Sequence, residues 1–254
     1  MADMLTAITR AVSPSMEACE LTYLERVPID IARARAQHRA YEACLAALGV
    51  RVISLPEEPE YPDAVFVEDP AILLNEIAVM TRPGAESRRG EADSLARALQ
   101  PFRPLRWLRD PATLDGGDVM RAGKSLFVGV TARSNPAGIA QLAAEVEPFG
   151  YYVRPVVVTG CLHLKSACSY LGDAVLVHRP CVDEAAFAGE HLVDVPEEFG
   201  ANVLVVGDTV LVPASAPRTA DLIAAMGWKI RLLDNSELAK AEGALTCCSL
   251  IFET

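Results

Sequence analysis

Side chains able to do chemistry gather in a few short stretches of this 254-residue chain. LTCCSL, 245–250, sets two adjacent cysteines, Cys247 and Cys248, in an apolar run near the end of the sequence. Neighbouring cysteines bond each other only with difficulty, and a strand there would turn the two sulfurs to opposite faces. A cysteine acts as a nucleophile when its pKa is depressed or a base lies nearby; otherwise it behaves as a small buried hydrophobe. The candidate base is His163, between two leucines in CLHLKS, 161–166. A neutral imidazole in that setting needs a partner, whether it is a satisfied core residue or a catalyst. His38 beside Arg39 on a helix, His178 at a strand end and His191 after Gly189 and Glu190 read as solvated.

Carboxylates form a second set. In PDAVFVEDP, 62–70, Asp63, Glu68 and Asp69 surround an apolar Val-Phe-Val. Strand alternation puts Asp63, Val65, Val67 and Asp69 on one face and Glu68 on the other. Two carboxylates flanking valines suit a cation pocket, although on these residues alone a strand with acidic ends in solvent is the more ordinary reading. In TLDGGDV, 113–119, Gly116 and Gly117 permit a sharp turn and close backbone approach, bringing Asp115 and Asp118 to the end of a following strand. Arg82, Arg88 and Arg89 in TRPGAESRRGE and Arg133 in TARSNP fall in loops between a hairpin and a helix. If those loops converge, their guanidinium groups can grip a carboxylate in fork geometry; apart, they are surface charges.

These residues need elements to position them. A pattern recurs: strand, tight polar turn, strand, polar loop, amphipathic helix. It appears in AILLNEIAVMTRPGAESRRGEADSLARAL, turning at Asn75 and Glu76 with a helix over 91–99. It returns in DVMRAGKSLFVGVTARSNPAGIAQLAAEV, turning at Ala122 and Gly123, and in NVLVVGDTVLVPASAPRTADLIAAM, turning at Gly207 and Asp208. SACSYLGDAVLVHRP is a poorer fourth copy turning at Gly172 and Asp173. Strands such as RVISLP, YYVRPVVV and WKIRLLD each follow a helix directly, as in a βαβ crossover. A helix over 31–48 leads into RVISLP as part of a fifth unit closed by the two chain ends. A period of roughly 35–50 residues is that of propellers and solenoids. The expectation is therefore five α/β units around an axis in one domain over 1–254, the alternative being an ordinary mixed α/β sandwich.

Composition narrows the function. With 51% hydrophobic and 22% charged residues the chain can bury a large core. A formal net charge of -11 disfavours nucleic acid, which needs clustered Lys and Arg, and suits a cationic small molecule. Seven cysteines without a CxxC pair argue against a zinc ribbon or a thioredoxin motif. The opening MADMLTAITRAV lacks the regions of a signal peptide, and no 18-residue apolar run spans a membrane. A cytoplasmic protein with reduced thiols is expected.

Taken together, PDAVFVEDP, TRPGAESRRGE, LDGGDV, HLKS and LTCCS occur in the order and approximate spacing of the dimethylarginine dimethylaminohydrolase family, which the chain resembles over nearly its whole length. That family belongs to the guanidino-modifying penteins, whose fold is a five-bladed α/β propeller of ββαβ units around a pseudo-fivefold axis. The resemblance implies hydrolysis of Nω-methylated arginines to citrulline and a methylamine through a covalent S-alkylthiouronium, with no cofactor or metal. It makes Cys247 the nucleophile, His163 the general acid and base, and Asp115 the carboxylate that orients the histidine and contacts the guanidinium. It gives Asp69 the substrate guanidinium, with Asp63 and Glu68 completing the acidic surround. It gives Arg88 and Arg133 the α-carboxylate. Leu21 falls in its substrate-covering loop, and Ala241 and Glu242 in a stretch that contacts substrate largely through backbone. Arginine deiminase or amidinotransferase chemistry and a non-catalytic pentein binding protein are the alternatives. Mono- against dimethylarginine preference and a homodimer stay open.

Overall fold

The computed structural model describes residues 4–254; the first three residues of the opening stretch lie outside the described residues. Five three-stranded sheets repeat one plan: an antiparallel hairpin whose second strand pairs in parallel with a third. In the second sheet Ala71–Leu73 pairs antiparallel with Ala78–Met80, which pairs in parallel with Leu105–Trp107. Val119–Ala122, Ser125–Val130 and Tyr152–Val157 repeat this. So do Cys168–Tyr170, Val175–Val177 and Leu192–Asp194, and then Leu204–Val206, Thr209–Pro213 and Lys229–Leu233. The remaining sheet joins both chain ends, with Leu250–Glu253 antiparallel to Leu5–Arg10 and Leu5–Arg10 parallel to Arg51–Leu55. The fold is an α/β propeller of five units, closed by its own termini.

Local chemistry makes the units. The hairpin turns sit at Gly123-Lys124 and Gly207-Asp208, between the pairs Ala122↔Ser125 and Val206↔Thr209. Gly123 and Gly207 both have φ of 60°, the left-handed region a two-residue hairpin turn demands. The first of these turns is thus one residue later than its sequence signal. Helix Ile31–Ala47 starts where Asp30 accepts the N–H of Arg33, and Pro136–Val146 where Asn135 accepts that of Gly138. Glu91–Leu99 and Pro217–Ala225 complete the crossover helices. The fourth unit has none: the 3-10 turns Arg179–Cys181 and Glu184–Phe187 replace it.

The middle strands form the core. Val175–Val177 and Thr209–Pro213 are buried throughout, whereas the outer strand of each unit alternates or faces water. His38 was expected in solvent but is 2% exposed: its ring stacks 6.0 Å from Tyr41, and its Nε2 lies 3.4 Å from Glu42 Oε1. The face of Ile31–Ala47 that carries Ala34, Gln37, His38, Tyr41 and Leu45 packs inward, which the weak amphipathicity of IARARAQHRAYEACLAA concealed.

Candidate active site

The segment leading into the innermost strand of every unit carries a buried polar or thiol group. Asp69 precedes Ala71–Leu73, Asp115 and Asp118 precede Val119–Ala122, and His163 precedes Cys168–Tyr170. Asn202 precedes Leu204–Val206, and Cys247 precedes Leu250–Glu253. Residues distant in sequence meet here because equivalent segments of a radial repeat approach one axis.

These segments are turns. Residues 62–70 form no strand, contrary to the alternation expected of Val65, Phe66 and Val67. Phe66 N–H donates to Asp63 O at 2.9 Å and Asp69 N–H to Phe66 O at 3.3 Å, so successive tight turns bury all three carboxylates. Cys247 and Cys248 likewise sit in the 3-10 turn Thr246–Cys248, ahead of the strand that starts at Leu250. The turn sends the two sulfurs apart: Cys247 lines a pocket, while the Cys248 thiol packs in the core and donates to Ala244 O at 3.5 Å.

That pocket, about 280 Å³ of empty space, is lined by Asp63, Asp69, Arg88, Arg133, His163 and Cys247, together with Glu20, Phe66, Leu162, Ala241, Glu242 and Gly243. Asp115 lies directly behind His163, its Oδ2 2.9 Å from Nε2, while its Oδ1 accepts the Gly84 N–H at 2.9 Å. Nδ1 of His163 lies 3.8 Å from Asp69 Oδ1. Gly117 donates its N–H to that same Oδ1 at 3.0 Å, and a Cβ there would stand 2.5 Å from His163 Nδ1. The close approach read from Gly116-Gly117 is therefore real, and it is what lets imidazole and carboxylate share one wall.

Arg88 is buried and heavily engaged. It donates to Asp69 Oδ2 at 2.6 Å and, through Nε and Nη2, to the two oxygens of Glu91 at 3.0 and 2.9 Å. Arg133 reaches toward Asp115 at 3.9 Å and donates to Thr22 Oγ1 at 2.9 Å. Arg82 and Arg89 stay on the periphery with Asp110 and Glu86. Glu68 is outside the pocket lining and bonds Lys165 and Thr246 beneath it. Leu21 is also outside the lining, half-buried against the core beside the turn, although its neighbour Glu20 forms part of the wall.

Charge sets the protons. Burial opposes ionisation of His163, but Asp69, Asp115 and Asp118 outweigh it and lift the imidazole to about 9. Burial also opposes the Asp69 carboxylate, yet His163 and Arg88 hold it down to about 2. Cys247 is pushed well above an ordinary thiol by burial and by Glu68 and Asp69. The resting pocket is thus an anionic cradle with a neutral thiol and a protonated imidazole. Among the described residues, Asp69, Asp115 and His163 could hold a metal, their ligand atoms lying within 4.8 Å of one another. A metal there would have to displace the proton that the imidazole keeps.

The sequence matches the family described as N,N dimethylarginine dimethylhydrolase, eukaryotic, over residues 21–175. It is 40% identical over 247 residues to the N(G),N(G)-dimethylarginine dimethylaminohydrolase of Streptomyces coelicolor, covering 96% of this chain and 95% of that one. The Pseudomonas aeruginosa protein of the same name is 36% identical, covering 88% and 90%. The chain belongs to the dimethylarginine dimethylaminohydrolase family. The fold is similar to that of the Pseudomonas aeruginosa family member, solved as a cysteine-to-serine mutant complexed with citrulline, with a TM-score of 0.93, 33% identity, and coverage of 99% of this chain and 100% of that one.

The sequence reading named Asp118 without giving it a role, and Asn202 and Glu91 escaped it. Asp118, fully buried, accepts the N–H of Leu164 at 2.9 Å and the hydroxyls of Thr131 and Ser134 at 2.7 and 2.5 Å, which fixes the turn that carries His163. Its place in TLDGGDV was the available signal. Asn202 accepts the Thr246 N–H at 3.2 Å and donates to Thr246 Oγ1 at 3.0 Å, bracing the turn that carries Cys247. Its position at the head of the last repeat would have flagged it. Glu91, raised to about 7 by burial, had no signal beyond spacing from Arg88.

Proposed function

We propose that this protein hydrolyses Nω-methylated arginines to citrulline and a methylamine, the whole chain acting as one catalytic unit. The observation that carries this reading is one pocket holding a thiol, a protonated imidazole and buried carboxylates, with Arg88 and Arg133 in its wall. A guanidinium carbon is a poor electrophile because three nitrogens share its charge, so a catalyst must hold it rigidly and protonate the departing amine. Asp69, with Asp63 beside it, supplies a counter-charge for the buried cation. Arg133 is the better placed of the two arginines for the α-carboxylate, because Arg88 spends most of its donors on Asp69 and Glu91.

The bound cation favours the thiolate of Cys247 by direct attraction, and the thiol proton leaves to solvent, since His163 already carries its own. Thiolate attack forms a C–S bond and a tetrahedral adduct. His163, protonated at neutral pH, gives its proton to the amine nitrogen as the C–N bond breaks, leaving a cationic S-alkylthiouronium. His163 then takes a proton from water, hydroxide adds to the carbon, and the C–S bond breaks to release citrulline. Glu68, Ala241, Glu242 and the Leu21 segment complete the surround in this reading. No helix among the described residues is long and apolar enough to cross a membrane, and seven free cysteines suit a cytoplasmic location.

The test is amino-acid analysis after incubation with monomethyl- and dimethylarginine, arginine, and arginine with glycine as acceptor. Citrulline from the methylated substrates, abolished by iodoacetamide, is the expected result. Turnover of arginine alone, or amidino transfer to glycine, would replace this reading with a deiminase or a transferase.

A further inference from the structure

Residues 19–24 lie against the pocket. Glu20 is part of its wall and donates its N–H to Asp63 Oδ2 at 3.0 Å. Cys19 anchors the near end in the core at 1% exposure, but burial does little to hold the far end, where Tyr23 and Leu24 are 49% and 40% exposed. Its strongest tie is a single carboxylate. Glu242 accepts the N–H of Thr22 at 3.0 Å on Oε2, and those of Tyr23 and Leu24 at 2.5 and 2.7 Å on Oε1. Three consecutive amides converging on one anion form a nest, and each bond is charge-assisted.

Glu242 is also the one non-glycine residue with a left-handed backbone among the described residues, at φ 57°. An L side chain adopts that conformation at a penalty, and glycine adopts it freely. The position therefore holds something that glycine lacks, while its backbone and those of Ala241 and Gly243 form pocket wall.

We propose that Glu242 is a positioning residue that latches residues 19–24 over the Cys247 pocket, so that the closed population, and with it substrate affinity, depends on this carboxylate. The substrate arm of the inference rests on the guanidino reading of the pocket. The latch itself is a property of the free protein.

Glu242→Gly separates latch from fold, because it removes the carboxylate and relieves the backbone. Glu242→Gln, isosteric but uncharged, and Glu242→Asp, one methylene shorter, flank it. Steady-state citrulline release, thermal unfolding and the rate of Cys247 alkylation by iodoacetamide without substrate, followed by mass spectrometry, are compared. For Glu242→Gly the expected result is an unfolding midpoint no lower than that of the parent, with KM raised roughly tenfold as the closed population falls, and kcat changed far less. Cys247 alkylation should accelerate, Glu242→Asp should recover part of the effect, and Glu242→Gln should recover less. Should Glu242→Gly not fold, the Gln variant carries the test. Unchanged KM and alkylation rate in a folded variant, or a loss of kcat alone, overturns the latch. If the parent protein releases no citrulline, the functional reading fails, and the alkylation rates still decide the latch.

Discussion

At rest Cys247 stays a thiol and His163 an imidazolium, facing an ionised Asp69. A preformed thiolate–imidazolium pair would react with alkylating agents at neutral pH. Here burial, Glu68 and Asp69 all disfavour the thiolate. The rate of Cys247 alkylation in the free protein should therefore climb with pH to 9 and beyond, without a neutral plateau. A plateau below pH 7 would contradict the charge argument. Substitution separates the roles of the two sulfurs. Cys247→Ser and His163→Gly should each lower turnover by about 1000-fold or more in folded protein, since each removes a reacting group. Cys248→Ser should stay within several-fold of the parent, because that thiol faces the core. Single-turnover assays with circular dichroism check both halves of the prediction.

Elements place these groups by turns that glycine makes possible. Gly117→Ala puts a methyl 2.5 Å from His163 Nδ1 and 2.7 Å from Asp69 Oδ1. Neither neighbour can retreat freely, one being bonded to Asp115 and the other to Arg88. A displacement of that size should lower kcat/KM by about 100-fold, with the unfolding midpoint shifting little by comparison. Kinetics alongside thermal melts would show it, and near-parental activity would remove Gly117 from the site. The same contrast governs what sequence makes legible. Hairpins and crossover helices announce themselves through two- and near-four-residue periods and glycine turns, so the five units and their closure by the chain ends can be read. Residues 62–70 mimic a strand, because Val-Phe-Val alternates between acids. Backbone bonds three residues apart override that alternation. The turn at Cys247 and the bracing by Asn202 and Glu68 depend on partners tens to hundreds of residues away, for which local pattern carries no signal.

For the whole molecule, the buried charges fix how stability follows pH. His163 binds its proton up to about 9 when folded against an ordinary value near 6.5. Its contribution is therefore complete below pH 6.5 and disappears as pH rises through 9. Asp69, held to about 2, contributes above its ordinary value of 3.8 and loses that contribution as pH falls toward 2. Burial raises Asp118 to about 6 and Glu91 to about 7, so the cost of ionising them in the folded state builds as pH rises from their ordinary values of 3.8 and 4.5 and is complete above those raised values. A formal net charge of -11 at pH 7 adds self-repulsion in the same direction. The sum places the stability maximum well on the acid side of neutrality, at roughly pH 4 to 5, with a decline that continues toward pH 9. The His163 part of that decline should be on the order of 3 kcal/mol, or roughly 6–12 °C in Tm for a chain of this size. His163→Asn should flatten the melting profile between pH 6.5 and 9 and weaken the acid limb without removing it, because Asp69 loses its imidazolium neighbour but still pairs with Arg88. Melting curves of the two proteins across that range decide the matter: parallel profiles would mean that the imidazole is not held protonated by its carboxylates.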